Sequence, residues 1–238
     1  MDYSYFNQPT KGQSILASIL IPVNKVLSAL NSNVKLVPQG INGDEMITIE
    51  QRINLYHLLN GVLINNVEGD VVELGCHVGN SAMQIQSIIE VANSFKKFHV
   101  YDRFNLIDNP YADIRQKFIA NFEKENLKVP QIHEGMFSDT IPGQLPEKIA
   151  FAHIDAGHGA PIDEYRDVML FLLDSIYSRM TPNSVCLLMD YHDHSRTKGG
   201  TDSNPGVKAA CDIFFDRKPE KVHVLYGNRY SHGYFRKK

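Results

Sequence analysis

Apolar residues along this chain are arranged in two textures. Up to about residue 68 their spacing is helical. Ile15, Leu16, Ile19, Leu20, Val23, Val26, Leu27 and Leu30 recur at helical intervals, which predicts two helical pieces around Pro22. Pro38, Gly40 and Gly43 then mark a loop. A second helix carries Leu55, Leu58, Leu59, Val62 and Leu63. Thr48 before it, with Gln51 three residues on, predicts a capping box.

After Glu68 and Gly69 short apolar runs alternate with helical periods. Strands are expected at residues 71–74, 98–101, from Ile132, at 149–154 and at 185–189. Helices are expected at 80–92, 112–123, 164–178 and 206–215. Such alternation predicts an α/β fold, a doubly wound, mostly parallel sheet with helices on both faces. Residues 222–226 and 230–235 read as two strands joined across Gly227, Asn228 and Arg229. That spacing demands a hairpin, so the last strand must run antiparallel to its neighbour. The expected organisation is a helical N-terminal extension over residues 1–68, as a lid or an oligomer interface, and a sheet domain over 69–238.

Composition narrows the class. A chain of 238 residues can bury a full core, and 43% hydrophobic against 21% charged residues excludes a disordered protein. A net charge of −3 argues against nucleic-acid binding by counterion release. The basic end, Arg236, Lys237 and Lys238, reads as a solvated tail. Cys76, Cys186 and Cys211 form neither a disulfide framework nor a zinc pair, which suits a reducing cytoplasm. The most apolar stretch, residues 15–30, is broken by Pro22, Asn24 and Lys25, so neither a membrane span nor a signal peptide is expected.

The candidate chemistry begins where the first strand ends. Val71-Val72-Glu73-Leu74-Gly75-Cys76-His77-Val78-Gly79-Asn80-Ser81 places two glycines, Gly75 and Gly79, where a backbone turn can approach a ligand at the carboxyl edge of the sheet. The spacing is Gly-x-x-x-Gly. Glu73 would repel a pyrophosphate but suits a cofactor with a cationic amino-acid end. The next strand ends at Asp102, where a carboxylate can accept both ribose hydroxyls of an adenosine. This stretch resembles motif I of the Rossmann-like, class I methyltransferases that use S-adenosylmethionine, whose seven-stranded sheet also ends in an antiparallel hairpin.

A second segment sharpens the resemblance. Gly135-Met136-Phe137-Ser138-Asp139-Thr140-Ile141-Pro142 is followed by a strand ending at Asp155 and another ending Met189-Asp190-Tyr191. From about residue 46 to 215 the chain resembles the macrocin O-methyltransferase family, which methylates sugar hydroxyls of glycosylated natural products. It is more distantly similar to the catechol O-methyltransferases. The resemblance implies S-adenosylmethionine held by Glu73, Gly75, Gly79, Ser81 and Asp102, with Ser138 and Asp139 at the adenine. It also implies a glycoside or glycan acceptor, and a homo-oligomer is expected.

A sugar hydroxyl ionises far above neutral pH, so a metal and a base would both help it attack a methyl group. Magnesium prefers hard oxygen ligands, and Asp155 and Asp190 are placed to supply them. Two positions depart from the family. Met189 replaces the first Asp of its Asp-Asp-Tyr, and Gly157 replaces the second Asp of its Asp-x-Asp. His192 or Asp193 could supply the missing ligand. His158, three residues beyond Asp155, sits where some sugar methyltransferases of the family carry a histidine, and imidazole suits a general base. The catalytic pair is therefore His158 and Asp155. Three alternatives stay open: a catechol or phenol acceptor, an NAD-dependent oxidoreductase or epimerase on the same sheet, and a binding protein with a degenerate site. Phe104, Tyr111, Phe137 and Tyr191 are the aromatic residues a phenolic acceptor would need.

Overall fold

A computed structural model describes residues 11–32, 36, 47–105, 113–157, 161–197, 202–225, 227 and 230–238. The chain divides into two compact units, Met1–Met46 and Ile47–Lys238. In the first, α1 (Lys11–Ala29) is one continuous helix that contains Pro22, not two pieces. Proline removes one backbone bond and clashes with the preceding turn, but the residues on both sides keep the helical path. Asn24 holds the chain beyond the helix: its side chain donates to the Leu36 carbonyl and accepts from the Leu36 N–H, each at 2.7 Å.

The second unit opens with α2 (Ile49–Ile64). The capping box forms: Gln51 N donates to Thr48 Oγ1 at 3.3 Å and Thr48 N to Gln51 Oε1 at 2.8 Å. Then follow β1 (Asp70–Leu74), α3 (Asn80–Val91), β2 (Phe98–Asp102), α4 (Ile114–Lys124), β3 (Gln131–Glu134) and the short α5 (Phe137–Thr140). The rest is β4 (Ile149–Ile154), α6 (Ile162–Tyr177), β5 (Met180–Met189), α7 (Pro205–Phe215), β6 (His223–Leu225) and β7 (His232–Arg236). The sheet order is β3-β2-β1-β4-β5-β7-β6. Strands β1 to β5 are parallel, and β7 runs antiparallel between β5 and β6. The doubly wound α/β expectation and its terminal hairpin therefore hold.

Two details differ from the sequence expectation and a third adds to it. Strand β5 starts five residues early, through Pro182, because its pairing with β4 shifts register there and Asn183 takes a left-handed φ of +68°. A bulge of this kind lets a strand carry a residue that cannot donate. The boundary between units lies at residue 46, not 68. Leu55, Leu59 and Val62 of α2 are fully buried in one core with Val71, Ile85, Phe151 and Leu187, so this helix belongs to the sheet unit. The basic end is solvated as expected, with Arg236 and Lys238 exposed, but it is also held: Arg236 Nη1 donates to Asn183 O at 2.8 Å and Lys238 N to Glu220 Oε1 at 3.0 Å. Lys237 Nζ lies 3.1 Å from the centre of the Tyr177 ring.

Candidate active site

The turn after β1 is built from three left-handed residues, Gly75 (φ +85°), His77 (+46°) and Gly79 (+92°). Only glycine fits at position 75. A Cβ there would lie 2.1 Å from the Asp155 carbonyl oxygen, so the turn is pressed directly against the end of β4. Gly79 meets Phe118 and Phe122 of α4, and a Cβ would come within 2.8 Å of the Phe118 ring.

Asp102 fastens this turn. Its Oδ2 accepts from the N–H groups of Cys76 and His77, both at 2.8 Å, and its Oδ1 from Phe104 N at 2.8 Å. A carboxylate offers about four acceptor positions, so one remains for a ribose hydroxyl. Asp102 is half-buried and therefore reachable. Ser81 is buried in the first turn of α3. Ser138 and Asp139 are exposed on α5, beyond Gly135, whose N–H bonds the Asp102 carbonyl at 3.0 Å. They thus share the edge at which Asp102 stands.

Glu73 is placed otherwise than expected. It is fully buried, and its Oε1 is 2.8 Å from Nδ1 of His153, also fully buried, on the neighbouring strand. The partner its charge requires is internal, where a cationic cofactor end was expected. His153 was not anticipated, because a histidine inside an apolar run carries no sequence signal of what it faces.

Asp155 and Asp190 follow the ends of adjacent parallel strands. Asp155 is exposed at the end of β4. Desolvation first pushes its pKa up to about 6, with His153 opposing and the charges of Asp190, Glu73 and Asp102 adding. Desolvation also raises Asp190, the Asn204 hydrogen bond opposes it, and Asp202 adds to it. Beneath the pair lies the buried Tyr165, whose hydroxyl is raised first by burial and then by both carboxylates. Like charges drawn together in this way are a donor set that a divalent cation would relieve, and Mg²⁺ needs only one or two carboxylates beside its waters. Among the described residues no three His, Cys, Asp or Glu side chains converge on one point.

The reserve ligands are engaged elsewhere. His192 is buried with Nδ1 2.6 Å from Ser231 Oγ, and Asp193 accepts from both the N–H and the hydroxyl of Ser195. His158 and Tyr111 lie outside the described residues. Phe104 and Tyr191 are core residues, so neither offers an open aromatic slot. One residue that the sequence reading missed joins the pair: Asn204 Nδ2 donates to Asp190 Oδ2. Its only sequence signal, a place just before Pro205, reads as a helix cap.

A family profile described as "Methyltransferase domain" matches residues 72–191. The chain belongs to this family. The methyltransferase domain thus covers the strands from β1 to β5 and both strand-end carboxylates. The chain is 23% identical over 172 residues to a Streptomyces olivaceus protein, 8-demethyl-8-(2,3-dimethoxy-alpha-L-rhamnosyl)-tetracenomycin-C 4'-O-methyltransferase. It is 25% identical over 175 residues to mycinamicin III 3''-O-methyltransferase of Micromonospora griseorubida. Each match takes in 61% of this chain, and 62% and 64% of the respective relative. The structure of the O-methyltransferase NovP has a similar fold, with a TM-score of 0.64 at 19% identity over 84% of each chain. Among the described residues no helix is long and apolar enough to cross a membrane.

Proposed function

We propose that this methyltransferase domain transfers a methyl group from S-adenosylmethionine to a hydroxyl of a sugar, on a glycosylated natural product or glycan. The observation that carries this reading is one edge of the sheet. A glycine turn clasped by Asp102 stands there beside the paired carboxylates Asp155 and Asp190. A relative named for methylating a rhamnosyl-tetracenomycin favours a sugar over a catechol.

The residues divide the work. Asp102 takes the ribose, Gly75 and Gly79 allow close approach of the backbone, and Ser138 and Asp139 border the adenine. Asp155 and Asp190 hold magnesium, and His158 takes the hydroxyl proton. When bound, S-adenosylmethionine supplies an electrophilic methyl and magnesium lowers the pKa of an oxygen it touches. Ionised Asp155 is needed for that role and protonation competes with the metal, so magnesium affinity falls as pH drops below about 6.

The test is calorimetric titration of the purified chain with S-adenosylmethionine and, separately, NAD, each with and without magnesium. Glycoside and catechol acceptors are then screened by mass spectrometry for a gained methyl. Heat with S-adenosylmethionine alone and methylation of a glycoside support the reading. Binding of NAD, or cofactor binding with no turnover on any acceptor, overturns it.

A further inference from the structure

Asn204 occupies the N-cap position of α7. An asparagine there ordinarily accepts a backbone N–H of the first turn. This one makes no such bond. Its amide reaches back fourteen residues in sequence and donates to Asp190 Oδ2. The helix start forgoes a stabilising cap while a strand-end carboxylate gains a donor.

Gly157 makes room for this contact. A Cβ at that position would lie 2.7 Å from Asn204 Nδ2 and 3.2 Å from Asp190 Oδ2. The first distance is shorter than real Cβ contacts, so any side chain at 157 would displace the amide. Asp190 itself has a left-handed backbone, φ +58°, uncommon outside glycine and adopted by aspartate more readily than by most residues. Three independent features therefore meet at one carboxylate: an unused cap, a missing side chain and an uncommon backbone. Asn204 engages Oδ2, and among the described residues Oδ1 accepts no hydrogen bond.

We propose that Asn204 is a positioning residue that fixes the Asp190 carboxylate for a divalent cation shared with Asp155, and that Gly157 is the gap admitting it. The inference rests on the functional reading above, since it needs magnesium at the carboxylate pair. Partners that orient a metal ligand in this way are typically worth about 10–100-fold in metal affinity.

The experiment is calorimetric titration of magnesium into the full chain. S-adenosylmethionine affinity and Tm are measured on the same samples. Asn204→Ser removes the amide but keeps a side chain able to cap α7. Gly157→Ala keeps the Asn204 residue but drives a methyl against its amide, pushing it off Asp190. Both variants are expected to bind magnesium about 10–100-fold more weakly, with S-adenosylmethionine affinity unchanged and, for Asn204→Ser, an unchanged Tm. If the parent binds magnesium and both variants match it, the positioning role is wrong and the metal site stands. Loss of Tm and of all binding together would show a merely structural contact and overturn it as well. A parent that binds S-adenosylmethionine but not magnesium removes the metal reading, and this proposal with it.

Discussion

The two faces of the central strands differ at matched positions. Toward α6 and α7, strands β1, β4 and β5 present Val72, Leu74, Ala152, Ile154, Cys186 and Leu188, all apolar and buried. Toward α2 and α3 the same strands present Val71, Glu73, Phe151, His153, Val185 and Leu187. One face is a continuous apolar layer. The other carries a hydrogen-bonded polar pair in register, since Glu73 and His153 are direct partners across β1 and β4. Nearby, the buried His232 of β7 meets Asn54 of α2, with Nε2 2.8 Å from Nδ2. A buried polar pair gains little net stability, because desolvation offsets the hydrogen bond, but losing one member leaves the other unsatisfied. The faces should therefore fail differently.

The largest effect is expected from Glu73→Ala, which leaves the buried His153 ring without its hydrogen-bond partner and opens a cavity, and should cost about 3 kcal/mol in denaturant unfolding. Replacing both members together with leucine should recover most of that loss. A double variant as unstable as the single would show that the pair is strongly stabilising, against this comparison.

Next in size is an acid effect on the polar face. Burial first, with the His153 charge adding and the Tyr230 backbone and Glu50 opposing, lowers the His232 pKa from 6.5 to about 4. Its folded pKa lies below its unfolded one, so the stability it supports is present above pH 6.5 and lost as pH falls toward 4. The loss approaches about 3 kcal/mol across that window. His232→Gln should flatten the stability profile there, as followed by chemical unfolding at each pH.

On the apolar face Ile154→Val removes one methylene and should cost about 1 kcal/mol, with no dependence on pH between 4 and 7. A pH-dependent loss at Ile154 would mean that the faces are not independent.

The smallest stability effect is expected at Asp155. Its folded pKa of about 6 lies above the ordinary 3.8, so its ionised form weakens the fold as pH rises through that window. Asp155→Asn should raise Tm slightly at pH 7, the gain closing below pH 4, while abolishing any magnesium response. Solvent contact at Asp155 keeps the gain small. A lower Tm at pH 7 would show that the carboxylate is stabilised by contacts other than those described.

Much of the fold was legible because its signals are local. The alternation of short apolar runs with helical periods located the strands and helices of the sheet unit. The Thr48 and Gln51 capping box needs only a spacing of three. The glycines at 75 and 79 marked the turn because glycine takes a left-handed path without strain. Errors fell where distant packing decides. Periodicity could show that α2 has an apolar face, but not that Val71 and Phe151 cover it. Pro182 reads as a strand breaker until the bulge in β5 is seen. The terminal lysines read as a free tail, and only the structure shows Glu220 and Tyr177 beside them.

The site divides in the same way. The sequence by itself determined the chemistry at hand: a glycine turn, an acid two residues before it, and aspartates at the ends of three strands. Residue type and spacing along one chain are sufficient for that. Only the tertiary structure decided which groups those carboxylates face. Glu73 turns inward to His153, eighty residues away, Asp102 ties down the turn, and Asn204 reaches Asp190 across the space that Gly157 leaves open. The reason is physical. A buried or crowded charge takes whichever partner packing brings within hydrogen-bond distance, and strand register and helix placement set that distance, not nearness in sequence.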